Sequence, residues 1–425
     1  MKSLNHIFIW MAAIVLTLSV GACGGHSTTT TNNVAPTGST PLSVVIDAGP
    51  PALVAANQGT ANIVYATITI CTPGSTTACQ TIDHIQVDTG STGMRILAPV
   101  LNGTVSPTAV LDSANNPMGE CVVFADGHTW GSVALVDVHL GGSTLSKVPV
   151  NIIGASSVGS DPSACSTGNG PAEQTVAAFG ANGIIGIGNY IQDCGLTCAV
   201  QTTNGQYFSC PSGTNCVSAS MPLLSQVTNP ASLVPVDNNG VTISFPSVAS
   251  PGAVSLTGTL YFGVNTEISN TSAANYNAIG SARILQLNPN TGYLTATYNN
   301  KSLTSAFIDS GSNGYYFDDN SIPQCSGSTY YCPTAAITKS FTLSGYNNAS
   351  SNATLTVENA DTLSNAKIGG SYLSVYPTLG GTISSAANAS SGMFDMGLPF
   401  FLGRKVYVIF ENATVGGVQG PAVAF

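Results

Sequence analysis

Two short runs of the chain carry the same potential chemistry. Asp88-Thr89-Gly90-Ser91 and Asp309-Ser310-Gly311-Ser312 each place an aspartate on a tight glycine turn, and a second glycine follows shortly after each run. Two carboxylates at hydrogen-bonding distance cannot comfortably ionise together, so they share one proton. Such a pair can take a proton from water and donate one to a carbonyl oxygen. The two runs therefore predict a site for hydrolysis, provided that the fold brings both aspartates together.

The surroundings of the two runs also match, although either run alone is an ordinary turn sequence. An apolar, strand-like approach precedes each run, Ile85–Val87 in the first case and Ala306–Ile308 in the second. A hydrophobic element ending in glycine follows each: Gly186 is 98 positions after Asp88 (186 − 88), and Gly403 is 94 positions after Asp309 (403 − 309). These long, similar spacings predict two homologous lobes with one aspartate each.

The residues beside the aspartates have predicted supporting roles. Gly90 and Gly311 allow a sharp backbone turn and bring N–H groups near the carboxylates. Ser91 and Ser312 offer hydroxyl groups that can donate to the outer carboxylate oxygens and fix their orientation.

The elements that must position these residues have the pattern of β-strands. Helical periodicity is scarce, and Gly, Asn, Pro and Ser recur between short Val/Ile/Thr/Tyr runs. Examples of such runs are Ile63–Ile70, Val133–Leu140, Val241–Phe245 and Val406–Phe410. We predict an all-β fold with a few short helices.

Together with the two aspartate runs, four further segments resemble pepsin-type aspartic peptidases. They are Tyr65–Ile70, Gly131–Gly142, Leu260–Gly263 and Phe401–Phe425. The resemblance covers roughly residues 60–425, with a Cys-rich insertion at 191–235, and the chain also resembles bacterial lipoproteins of uncharacterised families. It implies a two-lobed, pepsin-like acid protease fold with a cleft between the lobes. We expect an N-terminal lobe over residues 42–250 and a C-terminal lobe over 251–425.

The resemblance also implies residue roles. Asp88 and Asp309 would be the catalytic pair, and the hydroxyl groups of Thr89 and Ser310 would tie the two turns together. The runs expected to pack behind the turns are Ile184–Gly186 and Phe401–Gly403.

Two positions depart from the family pattern. The family places a tyrosine over the site on a hairpin called the flap; the matching residue is Phe124, which lacks the hydroxyl. Trp130 on the same hairpin either substitutes for it or packs at the hairpin base. Arg95 stands where an aromatic residue is usual, and it would lower the pKa of the aspartates, bind a substrate carboxylate or point into solvent.

The N-terminus has the features of a lipoprotein signal peptide. Lys2 precedes the apolar stretch Ile7–Val20, and the small residues before Cys23 predict that this cysteine becomes the lipidated first residue. The alternative is an ordinary secretory signal with a chance cysteine. Residues 24–41 are small and polar and predict a flexible tether. We expect an exported protein, anchored at the outer membrane on its periplasmic or surface face.

Composition excludes some partners. Removing residues 1–23 removes Lys2 and leaves 8 basic (9 − 1) and 19 acidic residues, a net charge of −11. So few cations argue against nucleic-acid binding. The chain also lacks the motifs of zinc peptidases and serine hydrolases, and we expect no cofactor, no metal and a monomer.

The cysteines predict disulfide bonds. Apart from Cys23, 10 remain, an even number in an exported chain. Pairs are expected within 71–79 and 325–332, two among residues 194, 198, 210 and 216, and one between 121 and 165 by exclusion. The alternative for the 194–216 cluster is a four-cysteine zinc site.

These observations support two functional hypotheses. The first is a membrane-anchored aspartic endopeptidase that cleaves extended peptides or unfolded protein with Asp88, Asp309 and an activated water. The second is a non-catalytic pepsin-like lipoprotein that holds a peptide or glycan in the interlobe cleft. The altered flap and Arg95 favour the second hypothesis, and the retained pair of aspartates disfavours it. A surface protein with a purely architectural duplication is a third, weaker possibility.

Overall fold

A computed structural model describes residues 38–213, 215–266, 277–383 and 392–425. Gly38–Phe425 forms one compact unit. The predicted signal peptide, Cys23 and nearly all of the predicted tether lie outside the described residues.

Strands dominate the described part of the chain, which confirms the all-β prediction. The strands are β1 Leu42–Ile46, β2 Val64–Cys71, β3 Cys79–Asp88, β4 Thr92–Leu97, β5 Thr108–Ala109, β6 Met118–Val123, β7 His128–Leu140, β8 Ser143–Ile153, β9 Gly183–Ile187, β10 Tyr207–Ser209, β11 Val217–Ser218, β12 Gly240–Ser244, β13 Leu256–Phe262, β14 Ile284–Gln286, β15 Leu294–Tyr298, β16 Lys301–Ile308, β17 Tyr315–Phe317, β18 Ile337–Ser344, β19 Ser350–Val357, β20 Lys367–Ile368, β21 Ser371–Tyr372, β22 Gly380–Gly381, β23 Met393–Met396, β24 Lys405–Ile409, β25 Thr414–Val415, β26 Val418–Gln419 and β27 Ala422–Ala424. The α-helices are short: α1 Pro51–Ala55, α2 Ser163–Ser166, α3 Val176–Phe179, α4 Leu196–Val200 and α5 Ala360–Asn365.

Two sheets carry the two aspartates. A 16-stranded sheet contains β3, which ends at Asp88, and a seven-stranded sheet contains β16, which ends one residue before Asp309. The large sheet also joins strands from distant parts of the sequence, because β1 pairs with β13 and β12 pairs with β24. Since this sheet spans the predicted lobe boundary at residue 250, a division at that residue stays a prediction.

A continuous apolar core lies behind both aspartate turns. Val87 and Ile308, which directly precede the aspartates, are buried in it. Behind the second turn, Phe394 packs against the rings of Phe317 and Phe341, with ring centroids 5.4 and 4.9 Å away. Burying one such ring contributes roughly 1.5–3 kcal/mol, so this cluster holds the second turn firmly.

All five predicted disulfide bonds are present. They join Cys71–Cys79, Cys121–Cys165, Cys194–Cys198, Cys210–Cys216 and Cys325–Cys332. The zinc alternative for the 194–216 cluster is therefore wrong, because all four sulfur atoms are in disulfides. Five disulfides fit a chain that folds in an oxidising compartment outside the cytoplasm.

In the described ranges, none of the helices has the length and apolar character needed to span a membrane.

Candidate active site

Parallel strands hold both aspartates at corresponding positions. β3 runs parallel to β9, with Asp88 opposite Gly186. β16 runs parallel to β23, with Ile308 opposite Met396, and the N–H of Asp309 donates to the Met396 carbonyl over 3.1 Å. Each aspartate therefore lies at, or directly after, the end of one strand, and that strand is hydrogen-bonded to a parallel neighbour.

Reciprocal hydrogen bonds join the two aspartate turns. The N–H of Thr89 donates to Ser310 Oγ over 3.1 Å, and the N–H of Ser310 donates to Thr89 Oγ1 over 2.9 Å. Each hydroxyl donates in turn to a carbonyl of the opposite strand: Thr89 to Ile308 over 3.2 Å and Ser310 to Val87 over 2.8 Å. Because these groups are buried, the network fixes the two turns to each other.

The two carboxyl groups meet across this junction. A side-chain hydrogen bond joins Asp309 to Asp88. The N–H groups of Gly90 and Gly311 each donate to the aspartate of their own turn, both over 2.7 Å. A Cβ atom on Gly90 would lie 2.6 Å from Asp309 Cγ, and one on Gly311 would lie 2.4 Å from Asp88 Oδ1. Only glycine fits at either position, because each turn packs directly on the carboxyl group of the other.

The environment of the pair favours a retained proton. Burial raises the pKa of Asp309 well above its ordinary value, and the negative charges of Asp88 and Asp395 raise it further. The N–H of Gly311 acts in the opposite direction. Asp309 therefore keeps its proton above the ordinary carboxyl range.

The two serines of the turns are not equivalent. Ser312 Oγ donates to Asp309 Oδ2 over 2.9 Å, as expected. Ser91 Oγ is buried and has no hydrogen-bond partner among the described residues, so the predicted bond to Asp88 is absent. Ser91 lies against β9 instead, since a Cβ on Gly186 would be 2.7 Å from its Oγ.

The second hydrophobic-hydrophobic-Gly element was assigned wrongly from the sequence. The glycine packed behind the second turn is Gly397, where a Cβ would lie 2.6 Å from the Ser312 carbonyl oxygen. Gly403 instead donates to the Phe245 carbonyl at the end of β12. The separation from Asp309 is therefore 88 positions (397 − 309), and the near-match at 94 was a coincidence.

The flap hairpin, β6 and β7 with their connecting turn, places the two predicted aromatic residues differently. Phe124 lies at the tip, partly buried, with its ring 6.0 Å from the ring of Phe179. Trp130 is 1% exposed, packs edge-on against Phe208 and donates from Nε1 to the Gly159 carbonyl over 3.1 Å. Trp130 is therefore a packed aromatic at the hairpin base and cannot cover a substrate.

All three predictions for Arg95 are wrong. The side chain does not contact the two aspartates, it is not available to a substrate carboxylate, and it does not point into solvent. Its side chain is 1% exposed and contacts Glu120 over 2.7 Å and Asp193 over 3.0 Å. Burial alone lowers the Arg95 pKa, but the two carboxylates outweigh burial and raise it. No local pattern points to these partners, because they lie 25 and 98 positions away in the sequence. Arg95 belongs to a buried ion cluster rather than to a binding surface.

Two cavities open beside the second aspartate turn. One, of about 340 Å³, is lined by Gly90, Asp309, Tyr293 and Phe307 among others. The other, of about 720 Å³, reaches Asn313, four residues after Asp309. Mixed apolar and polar linings of this size suit peptide side chains.

Comparisons with known proteins agree with this fold. The crystal structure of the aspartic proteinase from Irpex lacteus is similar, with a TM-score of 0.50 and 16% sequence identity, over 90% of this chain and 96% of that chain. This similarity confirms the predicted two-lobed, pepsin-like fold. A family model described as "Protein of unknown function (DUF3443)" matches residues 39–425, so the chain belongs to that family. No curated protein matches the chain.

Proposed function

We propose that the protein is an aspartic endopeptidase that hydrolyses extended peptides. The observation that carries this proposal is the hydrogen-bonded pair of Asp88 and Asp309, held between glycine turns that pack on each other's carboxyl groups. A merely architectural duplication would not require two acids to be desolvated at one point, because this costs free energy.

The pair can perform both proton transfers of peptide hydrolysis. With one proton shared, the ionised carboxyl takes a proton from a water molecule, and the protonated carboxyl donates to the substrate carbonyl oxygen. The water oxygen bonds to the carbonyl carbon and forms a tetrahedral intermediate. The C–N bond then breaks as the amine nitrogen receives a proton from the pair, which yields a carboxylic acid and an amine.

We propose that the substrate binds in an extended conformation, between the hairpin and β17. Flap residue Asp126 acts electrostatically on Tyr316 of β17, whose pKa is raised mainly by burial and by Tyr330. The hairpin tip therefore lies within electrostatic range of the strand that follows the second aspartate turn. A strand-like peptide between them can use backbone hydrogen bonds for affinity and alternate side chains for specificity.

Hydrolysis by the full-length protein tests the proposal. We expect cleavage of a reduced, unfolded protein, detected as new peptides by mass spectrometry, and inhibition by a statine-type mimic of the tetrahedral intermediate. Because the raised pKa of Asp309 keeps the proton on the pair, activity should persist above the ordinary carboxyl range and fall once pH exceeds that pKa. Statine binding without hydrolysis would refute the peptidase proposal and favour the hypothesis of a non-catalytic protein that binds a peptide or glycan.

We also propose that a lipid on Cys23 anchors the enzyme to the outer membrane. This segment lies outside the described residues, and the sequence pattern supports the proposal. Cells fed labelled palmitate should incorporate the label into the wild-type protein and not into Cys23→Ser. If the wild-type protein incorporates no label, the proposal of a lipid anchor is refuted and the peptidase proposal is unaffected.

A further inference from the structure

The flap hairpin is joined to a neighbouring stretch of chain, residues 161–173, which we call the flanking segment. The N–H of His128, the first residue of β7, donates to the Pro171 carbonyl over 2.9 Å, and the N–H of Glu173 donates to the His128 carbonyl over 2.8 Å. The disulfide Cys121–Cys165 links β6 to the same segment. The position of the flap therefore depends on its contacts with the flanking segment.

The side chain of His128 adds two contacts, and both partners are hydrogen-bond acceptors. Its Nε2 lies 3.0 Å from the Asp161 carboxylate, and its Nδ1 lies 3.1 Å from the Gly170 carbonyl oxygen. A neutral imidazole carries one N–H, whereas the protonated ring donates from both nitrogens. Only the protonated ring can therefore satisfy both contacts. Because the side chain is 3% exposed, loss of a proton would leave a nitrogen lone pair facing an acceptor with little access to water.

The titratable groups around this ring are acidic: Asp161 and Glu173 from the flanking segment, and Asp126 from the flap turn. Glu173 is buried, and a Cβ on Gly127 of the flap turn would lie 2.8 Å from its Cδ. Burial, and then the charge of Asp126, raise the pKa of Glu173 to about 7, and His128 acts in the opposite direction. In acidic solution one cation therefore faces two carboxylates and a neutral Glu173. In alkaline solution three carboxylates surround a neutral ring and repel one another.

We propose that His128 is a pH-sensitive latch for the flap: as a cation it binds Asp161 and the Gly170 carbonyl, and loss of its proton releases these contacts. The backbone bonds and the disulfide remain, so the flap stays attached and only its order changes. We expect the tip, residues 124–127, to be held in acidic solution and to move in alkaline solution. The effect on substrate binding rests on the proposed function, whereas the latch itself is testable without turnover.

The latch can be measured by NMR. In full-length protein labelled with ¹⁵N, both ring nitrogens of His128 should carry protons at about pH 5, and one should lose its proton by about pH 8, the range in which histidine titrates. Over the same transition, the protection of the His128 and Glu173 amides against hydrogen exchange, relative to an unfolded chain, should fall about tenfold, the effect of one hydrogen bond. A ring that carries one proton throughout, or two throughout, would overturn the inference, as would protection that does not change during the titration.

Asp161→Asn separates the latch from other effects of pH. Because asparagine can donate to a neutral ring nitrogen, amide protection in this variant should be the same at both pH values. The ring should also lose its proton about one pH unit lower than in the wild type, since an opposite charge is gone. Asp83→Asn, which alters a carboxylate 3.2 Å from His84 Nδ1, is the matched control and should keep the wild-type change in protection. Glu173→Gln should keep most of it. If Glu173→Gln abolishes the change and Asp161→Asn preserves it, the inference is overturned.

Peptide kinetics connect the latch to the proposed peptidase. In the wild type, KM for a peptide should rise about tenfold as His128 loses its proton, because a loosened flap must be ordered again when substrate binds. In Asp161→Asn, KM should stay constant over the same pH range, whereas kcat should follow the protonation of Asp309 in both proteins. A KM that changes equally in both proteins would overturn the inference. An inactive wild type would refute the peptidase proposal, and the NMR measurements would then decide this inference separately.

Discussion

Asp88→Asn and Asp309→Asn are each expected to lower the rate of peptide hydrolysis by about 10³-fold or more. Each substitution removes one of the two groups that transfer protons, and general acid–base catalysis contributes roughly 10²–10⁴-fold per group. Because asparagine has nearly the same shape and can still accept from the turn N–H, the fold should be retained. The measurement is kcat/KM on a quenched-fluorescence peptide that the wild-type protein cleaves.

The matched control is Asp83→Asn, on the same strand as Asp88 but with its side chain 55% exposed. Its activity should equal that of the wild type. The double variant Asp88→Asn with Asp309→Asn should be no slower than either single variant, because residues that act as a unit are not additive. Wild-type activity in either single variant would exclude the two-carboxylate mechanism.

Arg95→Met is expected to destabilise the protein by about 3–5 kcal/mol, the usual cost of leaving a buried charge without its partner. Arg95 is the cation between Glu120 and Asp193, and it also donates to the Thr92 carbonyl over 2.8 Å. Glu120 Oε2 already has no hydrogen-bond partner among the described residues, so Glu120 cannot compensate. The free energy of unfolding in urea, with disulfides intact, is the measurement.

Asp193→Asn is the comparison variant for this cluster. Burial and the charge of Glu120 raise the pKa of Asp193 well above its ordinary value, so the ionised form of Asp193 is costly to bury and a neutral amide should cost only about 1 kcal/mol. Folding then takes up a proton, and wild-type stability should fall as pH rises above about 4. Asp193→Asn should flatten this slope. If Arg95→Met is neutral while peptide KM rises, Arg95 binds substrate after all.

Local patterns in the sequence were sufficient to predict several features. Each aspartate turn is formed by residues that are adjacent in the sequence. Its glycine, Gly90 or Gly311, lies where a Cβ atom would clash with the carboxyl group of the other turn. Disulfides such as Cys71–Cys79 and Cys325–Cys332 close short loops, so proximity in sequence implies proximity in space. The fold was predictable for the same reason, because the duplication repeats local signals.

Features that depend on distant strands could not be predicted. The choice between Gly397 and Gly403 depends on which strand lies beside β16, and both follow apolar residues. Asp395 stands out in hindsight as a lone acid in the run Met393–Met396, but its position beside Asp309 comes from strand register. The partners of Arg95 likewise come from other strands and loops, so burial of its charge was not foreseeable.

The mutual packing of the two glycine turns has a consequence for the life of the protein. Neither half of the chain forms the candidate site alone, because each turn packs against the carboxyl group of the other and shields it from water. β23, which braces Asp309, is among the last strands in the chain. In the proposed peptidase, a chain whose last strands have not yet folded would carry two separate acids and could not cut itself or its neighbours. Hydrolysis by the proposed peptidase would therefore begin only after the last part of the chain has folded.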